Sequence, residues 1–373
     1  MTTPDRLDLS APVISSKSSL AGSVLVVGSG LIGASLGLAL TARGVSVWLE
    51  DLDSEAGKVA ASRGAGRLGT PDVAPELIFV AVPPHRTAEV ISRLMTLYLD
   101  ATVSDVSSTK TQLQQDVESL GADMSRFVPG HPLAGREVSG PSAARADLFA
   151  DRIWALTPSA QTDPTRTALV ASVVRSLGAV VVETSPEQHD RAVALTSHTP
   201  QIVASMVAAG LTSLDDAEVR LSGQGLRDVT RLAGSDPQLW TEILASNAVP
   251  VAQSLGALID RLREVRDALI SSPPERDRLG EALTAGVLGH ARVPGKHGAT
   301  PVNYAVVPVV VADRPGELGR LFAAVGGTGV NLEDVRIEHI QGRPTGLVEL
   351  EVRPEAADQL AAGLRLADWE VRF

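Results

Sequence analysis

The 373-residue chain contains no cysteine. Disulfides, thiolate metal sites and thiol nucleophiles are thereby excluded together, and no metal site is expected. Aromatic residues make up only 3%, so the cores must be packed with Val, Leu, Ile and Ala. Lysine is scarce as well, limited to Lys17, Lys58, Lys110 and Lys296. Basic residues are outnumbered by acidic ones, 33 to 44, for a formal net charge of −11. That balance argues against nucleic acid and anionic membrane as partners. A small anionic substrate would have to be held by locally concentrated Arg. The chain has no run of about 18 uncharged apolar residues, so no membrane span is expected. The opening MTTPDRLDLSAPVISSKSSLAG has no apolar core behind a basic start. It does not read as a signal peptide, residues 1–21 read as a loose polar tail, and the chain reads as cytoplasmic.

At this length two or three domains are expected. From residue 23, SVLVVGSGLIGASLGLALTARGVSVWLED gives strand, glycine turn, helix, glycine stop and strand. Further strand-like runs fall at 77–83, 101–107, 152–158 and 179–185, with helical stretches between several of them. The alternation predicts a doubly wound parallel sheet over 22–186. From 187 to 285 the hydrophobics take helical spacing, predicting an all-helical domain whose apolar stripes are long enough to pack against a second subunit. Residues 286–302 read as a linker. From Tyr304 the order strand-helix-strand-strand-helix-strand predicts a small ferredoxin-like domain over 303–373.

GSGLIG (Gly28, Ser29, Gly30, Leu31, Ile32, Gly33) follows a strand and opens a helix. Gly28 permits the tight turn, Gly30 lets a pyrophosphate approach the backbone, and Gly33 allows close helix-to-strand packing. Asp51 closes the second strand about 20 residues on, where a carboxylate can bond the adenosine ribose and repel a 2′-phosphate. NAD is therefore expected over NADP, with Glu50 and Asp53 as competitors for the ribose. Val82, Pro83 and Ser107, at the ends of later strands, complete the expected cofactor edge. Dehydrogenases that take a catalytic lysine from the helical half, such as 3-hydroxyacid and 6-phosphogluconate dehydrogenases, do not fit, because no lysine lies there.

GHPLAGREVSG (130–140) makes a poor helix and a poor strand, yet carries His131, Arg136 and Glu137 together. Farther on, Asp190, Ala194, His198 and Gln201 recur at spacings of four, four and three, which places them on one helix face. A polar stripe on an otherwise apolar helix must meet water, a partner or a ligand.

DVSSTK (105–110), GHPLAGREVSG, HDRAVALTSHTP (189–200) and GLRDVTRLAGSDPQLW (225–240) together resemble the prephenate/arogenate dehydrogenase family of tyrosine biosynthesis. The tail DRPGELGRL…GVNLEDV resembles an ACT domain, a small amino-acid-sensing module. The resemblance implies NAD-dependent oxidative decarboxylation of a cyclohexadienol acid, prephenate first and arogenate as the alternative, by a homodimer. It implies that His131 accepts a hydrogen bond from the substrate hydroxyl, that Ser108 bonds the same hydroxyl, and that Glu137 guards the mouth of the site. It further implies that Arg231 holds a substrate carboxylate, with Arg227 one turn away as the competing arginine. His198, Gln201 and Trp240 fall in the implied substrate pocket. Several prephenate-specific members carry a His where this chain has Gln201, and a neutral amide can serve either substrate. In the tail, Asp313, Arg314, Gly316, Leu318, Asn331 and Leu332 match the effector-binding segments, with tyrosine as the implied effector. A non-catalytic sensor of NAD or tyrosine is the other class of function, but it would not need His131, Ser108 and Arg231.

Overall fold

A computed structural model of the chain describes residues 20, 22–135, 138–293, 304–339 and 344–373. The tail up to residue 19 and Glu137 lie outside the described residues. The chain divides into two compact units, residues 1–263 and 264–373.

The first unit opens with β1 (Val24–Val27), α1 (Leu31–Thr41), β2 (Val47–Glu50), α2 (Ser54–Ser62), β3 (Arg67–Leu68), β4 (Leu77–Val80), α3 (Pro84–Leu97), β5 (Thr102–Asp105), α4 (Thr111–Ser119) and β6 (Phe127–Val128). The six strands are parallel and ordered β3-β2-β1-β4-β5-β6. This is the doubly wound order, and it places the switch point between β1 and β4. VLVV in β1 and LIFV in β4 are wholly buried, as strands covered on both faces require. Val24 and Val26 enter one core with Leu36, Leu40 and Phe79, and Leu25 and Val27 enter the other with Ile91, Leu94 and Phe127.

The runs around 152–158 and 179–185 do not extend this sheet. They form β8 (Ile153–Leu156) and β9 (Val180–Glu183), joined by α5 (Pro164–Ser176), in a separate three-stranded sheet ordered β7-β8-β9. Its first member, β7 (Gly130–Pro132), comes from the stretch expected to be irregular. β7 runs antiparallel to β8, with His131 opposite Ala155. Pro132 is tolerated because it ends an edge strand, where a missing N–H disturbs no second ladder. Trp154 of β8 is fully buried against Phe79 and Phe149, at centroid distances of 6.1 and 5.2 Å, and so fastens the second sheet to the first.

The remainder of this unit is helical: α6 (Pro186–Val193), a π turn over Ala194–His198, α7 (Thr199–Gly210), α8 (Asp216–Val219), α9 (Gln224–Thr230), a 3-10 turn over Arg231–Gly234, α10 (Pro237–Ser246) and the start of α11 (Ala248–Ile270). Pro200 supplies no backbone donor to the turn before it, which accounts for the widened helix there.

The second unit holds α12 (Arg276–His290), then β10 (Ala305–Ala312), α13 (Glu317–Gly327), β11 (Asp334–His339), β12 (Thr345–Val352), α14 (Ala357–Leu366) and β13 (Glu370–Val371). The strands form an antiparallel sheet ordered β11-β12-β10-β13. Val307, Val309 and Val311 alternate inward onto Leu321, Val325, Leu360 and Leu364. Among the described residues no single helix is long and apolar enough to cross a membrane.

Candidate active site

The C-terminal ends of β1, β2, β4 and β5 converge on one edge of the large sheet. Gly28 has φ +98°, and a side chain there would strike the Ala81 carbonyl. At Gly33 it would overlap the Gly28 carbonyl. The protein's own packing thus demands both glycines. Gly30 is different, because a Cβ there would meet no protein atom within 4 Å. Its bare backbone leaves room for something outside the chain. The first turn of α1, which begins after Gly30, has no side-chain cap and no acidic residue. Its free N–H groups suit a diphosphate, and these features together fit a dinucleotide.

The three candidate ribose carboxylates have separate fates. Asp53 caps α2 by accepting from Glu55 and Ala56 N–H groups, and Glu50 pairs with Arg93. Asp51 accepts from the backbone N–H of Ser29, inside the glycine turn, and from that of Asp53. It therefore stands beside the cradle. Replacing Asp51 with Ser should weaken NAD binding and relax discrimination against NADP, read by titrating both cofactors. A wild-type protein that prefers NADP would contradict this. Val82 and Pro83 offer their carbonyls to Thr87, whose hydroxyl also lies 3.5 Å from that of Ser107. One buried threonine so ties these two loops together.

His131 is half-buried and sits where the two sheets meet. The preceding residue, Gly130, is clamped from both sides: its N–H donates to Asp105 Oδ1 at 3.1 Å, and its carbonyl accepts from Lys110 Nζ at 2.6 Å. Lys110 also pairs with Asp105 Oδ2, and both side chains are fully buried. Burial pulls the Lys110 ammonium down, against the Asp105 and Asp190 charges that raise it. The loop carrying Ser108 is thereby fixed to the strand carrying His131. On the other side, His131 Nδ1 lies 2.9 Å from His189 Nε2, and His189 Nδ1 lies 2.8 Å from Asp190 Oδ1. Burial, with His189, Lys110 and His198 adding to it, holds the His131 imidazole well below the usual 6.5. His131 is therefore a neutral hydrogen-bonding base at physiological pH.

Asp190, Ala194, His198 and Gln201 are all buried on one face, as the spacing predicts. His198 is pushed down to about 4, chiefly by burial, and its Nδ1 is 3.1 Å from Asn247 Nδ2. Trp240 stands edge-on to it at 6.0 Å. The Gln201 amide N–H donates to the Leu232 carbonyl and so holds the turn that begins with Arg231, while its Oε1 is buried without a partner. The structure thus gathers His198, Gln201, Trp240 and the Arg231 turn. Arg231 and Arg227 are both exposed.

The effector residues do not gather within one copy. The Asp313–Gly316 turn follows the end of β10, where Ala312 pairs with Thr345. Asn331 and Leu332 precede β11, whose first residue, Asp334, pairs with Glu351. At about 3.3 Å per residue the two segments stand roughly 20 Å apart along β12.

Sequence reasoning missed His189, Lys110, Asn247 and Thr87 as members of the site. For Thr87 and Asn247 the sequence carries no signal. Asp190 and Lys110 lie inside the quoted motifs, and the pairing of an HD step with the polar stripe was the one clue to His189.

The fold and this site define a nicotinamide-dependent dehydrogenase with a helical second domain. Residues 36–183 match the family model described as prephenate dehydrogenase, nucleotide-binding domain, and residues 185–284 match prephenate dehydrogenase, dimerization domain. The chain belongs to the prephenate dehydrogenase family. It is 38% identical to a probable prephenate dehydrogenase of Streptomyces niveus, over 92% of this chain and 98% of that one. The prephenate dehydrogenase of Bacillus subtilis is 25% identical, over 89% and 92%. Among solved structures, Aquifex aeolicus prephenate dehydrogenase in complex with hydroxyphenyl propionate and NAD+ superposes with a TM-score of 0.66 at 29% identity, over 73% of this chain and 98% of that one. Synechocystis arogenate dehydrogenase gives 0.61 at 28%, over 72% and 99%.

Proposed function

We propose that the protein catalyses the NAD-dependent oxidative decarboxylation of prephenate to 4-hydroxyphenylpyruvate, in tyrosine biosynthesis. The observation that carries this reading is His131, a neutral imidazole held at Nδ1 by His189 so that Nε2 is left for the substrate hydroxyl. NAD is held by the glycine turn, Asp51 and the loops at Val82–Pro83 and Ser107, and when bound it supplies the acceptor for the hydride leaving C4. His131 stabilises the developing charge on the C4 hydroxyl by accepting its hydrogen bond. Ser108, on the clamped loop, bonds the same hydroxyl. The bond between the ring and its carboxyl group breaks, carbon dioxide departs, and the electron pair left behind completes the aromatic ring. Arg231 holds a substrate carboxylate, with His198 and Trp240 as pocket walls. Arg231→Ala should raise KM for prephenate roughly ten- to a hundredfold with little change in kcat, the size of one charge-assisted bond. If KM instead rises in Arg227→Ala alone, the carboxylate is held by that arginine.

A second reading, arogenate as substrate, rests on Gln201. Its unpartnered Oε1 is an acceptor, which an ammonium would satisfy and a keto group would not. Steady-state rates of NADH formation with prephenate and with arogenate test the choice. A kcat/KM at least tenfold higher for prephenate supports the first reading, and the reverse supports the second.

The organisation that supports this activity is a dinucleotide domain over 22–186, a helical domain over 187–285 and an ACT domain over 303–373, in a cytoplasmic homodimer. Leu283, Val287 and Leu288 of α12 and Leu269 of α11 are exposed, an apolar surface that a second copy would cover. Two copies would also explain how effector segments 20 Å apart form a pocket, each copy giving one. Tyrosine is the proposed effector, bound by Asp313, Arg314, Gly316 and Leu318 of one copy and Asn331 and Leu332 of the other. Inhibition at a distance needs a difference in affinity between two states, typically about 1–3 kcal/mol. A chain ending at Pro301 should therefore keep dehydrogenase activity and lose its inhibition by tyrosine. Unchanged inhibition would place tyrosine in the active site.

A further inference from the structure

Asp190 is 2% exposed and its polar groups face in two directions. Its carboxylate accepts from the backbone N–H of Lys110 at 2.9 Å, from that of Thr111 at 2.8 Å, and meets His189 Nδ1 at 2.8 Å. Burial works to raise this carboxyl, but the hydrogen bonds from His189, Thr111 and Lys110 outweigh it and keep it below the usual range. An ionised carboxylate only accepts, so His189 must carry its proton on Nδ1. With Nδ1–H as its single proton, His189 presents a lone pair at Nε2. His131, 2.9 Å away through Nδ1, must therefore be the donor, and its own lone pair falls on Nε2.

The backbone carbonyl of Asp190 fixes a second histidine. It accepts from Asn247 Nδ2 at 2.9 Å. A flipped amide would set oxygen against oxygen, so the carbonyl determines which way Asn247 points. The same NH2 group lies 3.1 Å from His198 Nδ1, which must then be the acceptor. His198 so carries its proton on Nε2. The two histidines end in opposite tautomers, an acceptor at His131 Nε2 and a donor at His198 Nε2.

We propose that Asp190 is a positioning residue for this reaction, setting the tautomer of His131 through His189 and that of His198 through Asn247 while it holds the Ser108 loop by two backbone amides. The proposal rests on His131 serving as the hydroxyl's acceptor, but its test reads the tautomers directly and stands apart from turnover.

The seven histidines can be observed by long-range proton–nitrogen NMR on the full chain at about pH 8, well above the ordinary histidine value of about 6.5. His131 and His198 signals are assigned by single substitutions. The expected result is Nδ1–H for His131 and Nε2–H for His198. Asp190→Asn, which puts an NH2 where an acceptor stood, should shift His131 towards Nε2–H and lower kcat by about 10²–10⁴-fold, with KM for NAD little changed. Nε2–H on His131 in the wild-type protein would overturn the proposal, because His189 would then be the donor. His198, set by the backbone carbonyl that this substitution leaves in place, should stay Nε2–H, and an Asp190→Asn protein that folds and keeps Nδ1–H on His131 and its kcat would overturn the proposal equally. Should that variant fail to fold, the wild-type tautomers still decide. The expected tautomers in a protein that turns over neither substrate would leave the positioning role standing and remove the reading of the function.

Discussion

Replacing His131 with Asn should lower kcat by about 10²–10⁴-fold while leaving the fold and NAD binding intact. Asn keeps part of the imidazole's shape and one hydrogen-bonding edge, but it cannot accept a proton near neutral pH. The pH profile of the wild-type protein makes the same point from another side. In the proposed reaction the active form of His131 is the neutral one, and its pKa is pushed well below 6.5, first by burial and then by His189, Lys110 and His198. The rate should therefore stay level as pH falls through 6.5 and drop only well below it. A kcat in His131→Asn within a factor of two of wild type would remove this residue from the chemistry.

The second large effect is on stability. Lys110→Met should destabilise the N-terminal unit by about 3–5 kcal/mol, the usual result of stripping one partner from a buried ion pair. Asp105 would keep its bonds from Ser107 and Gly130 N–H groups but lose the cation that compensates its charge. Domains are stable by only about 5–15 kcal/mol in all, so a large share of the total is at stake. Urea unfolding followed by circular dichroism reads the change, and a loss under about 1 kcal/mol would mean that the Asp105–Lys110 pair does not clamp this part of the fold. Activity should fall too, since Lys110 also holds the Gly130 carbonyl beside His131.

The cofactor cradle was legible because its signal is local. GSGLIG, the strand before it and the carboxylate that follows lie within 30 residues, and each glycine has a separable reason. The polar stripe from Asp190 to Gln201 was legible for the same reason. His189 was not. It stands nine residues before His198, and at about 100° per residue that spacing puts the two on opposite faces of a regular helix. The π turn at Ala194–His198 takes up one extra residue, so the rotation becomes roughly 80° and the two buried rings come within electrostatic reach of each other. The Asp105–Lys110 pair was hidden differently. Two charges five residues apart in a polar hexapeptide give no sign of burial, which comes from β7 and α6 closing over them. The β7 strand was obscured by Pro132, whose edge position no local pattern reveals. The resemblance implied a role for His131 but not its surroundings.

In the proposed reaction one site couples hydride loss at C4 to loss of the ring carboxyl group. The most direct measurement is stoichiometric: mix the protein with NAD and a limiting amount of prephenate, then count NADH, carbon dioxide and 4-hydroxyphenylpyruvate. One of each per prephenate consumed is the predicted result, and all three should be lost together in His131→Asn. Reduced cofactor without carbon dioxide, or no reduction with either prephenate or arogenate, would contradict it.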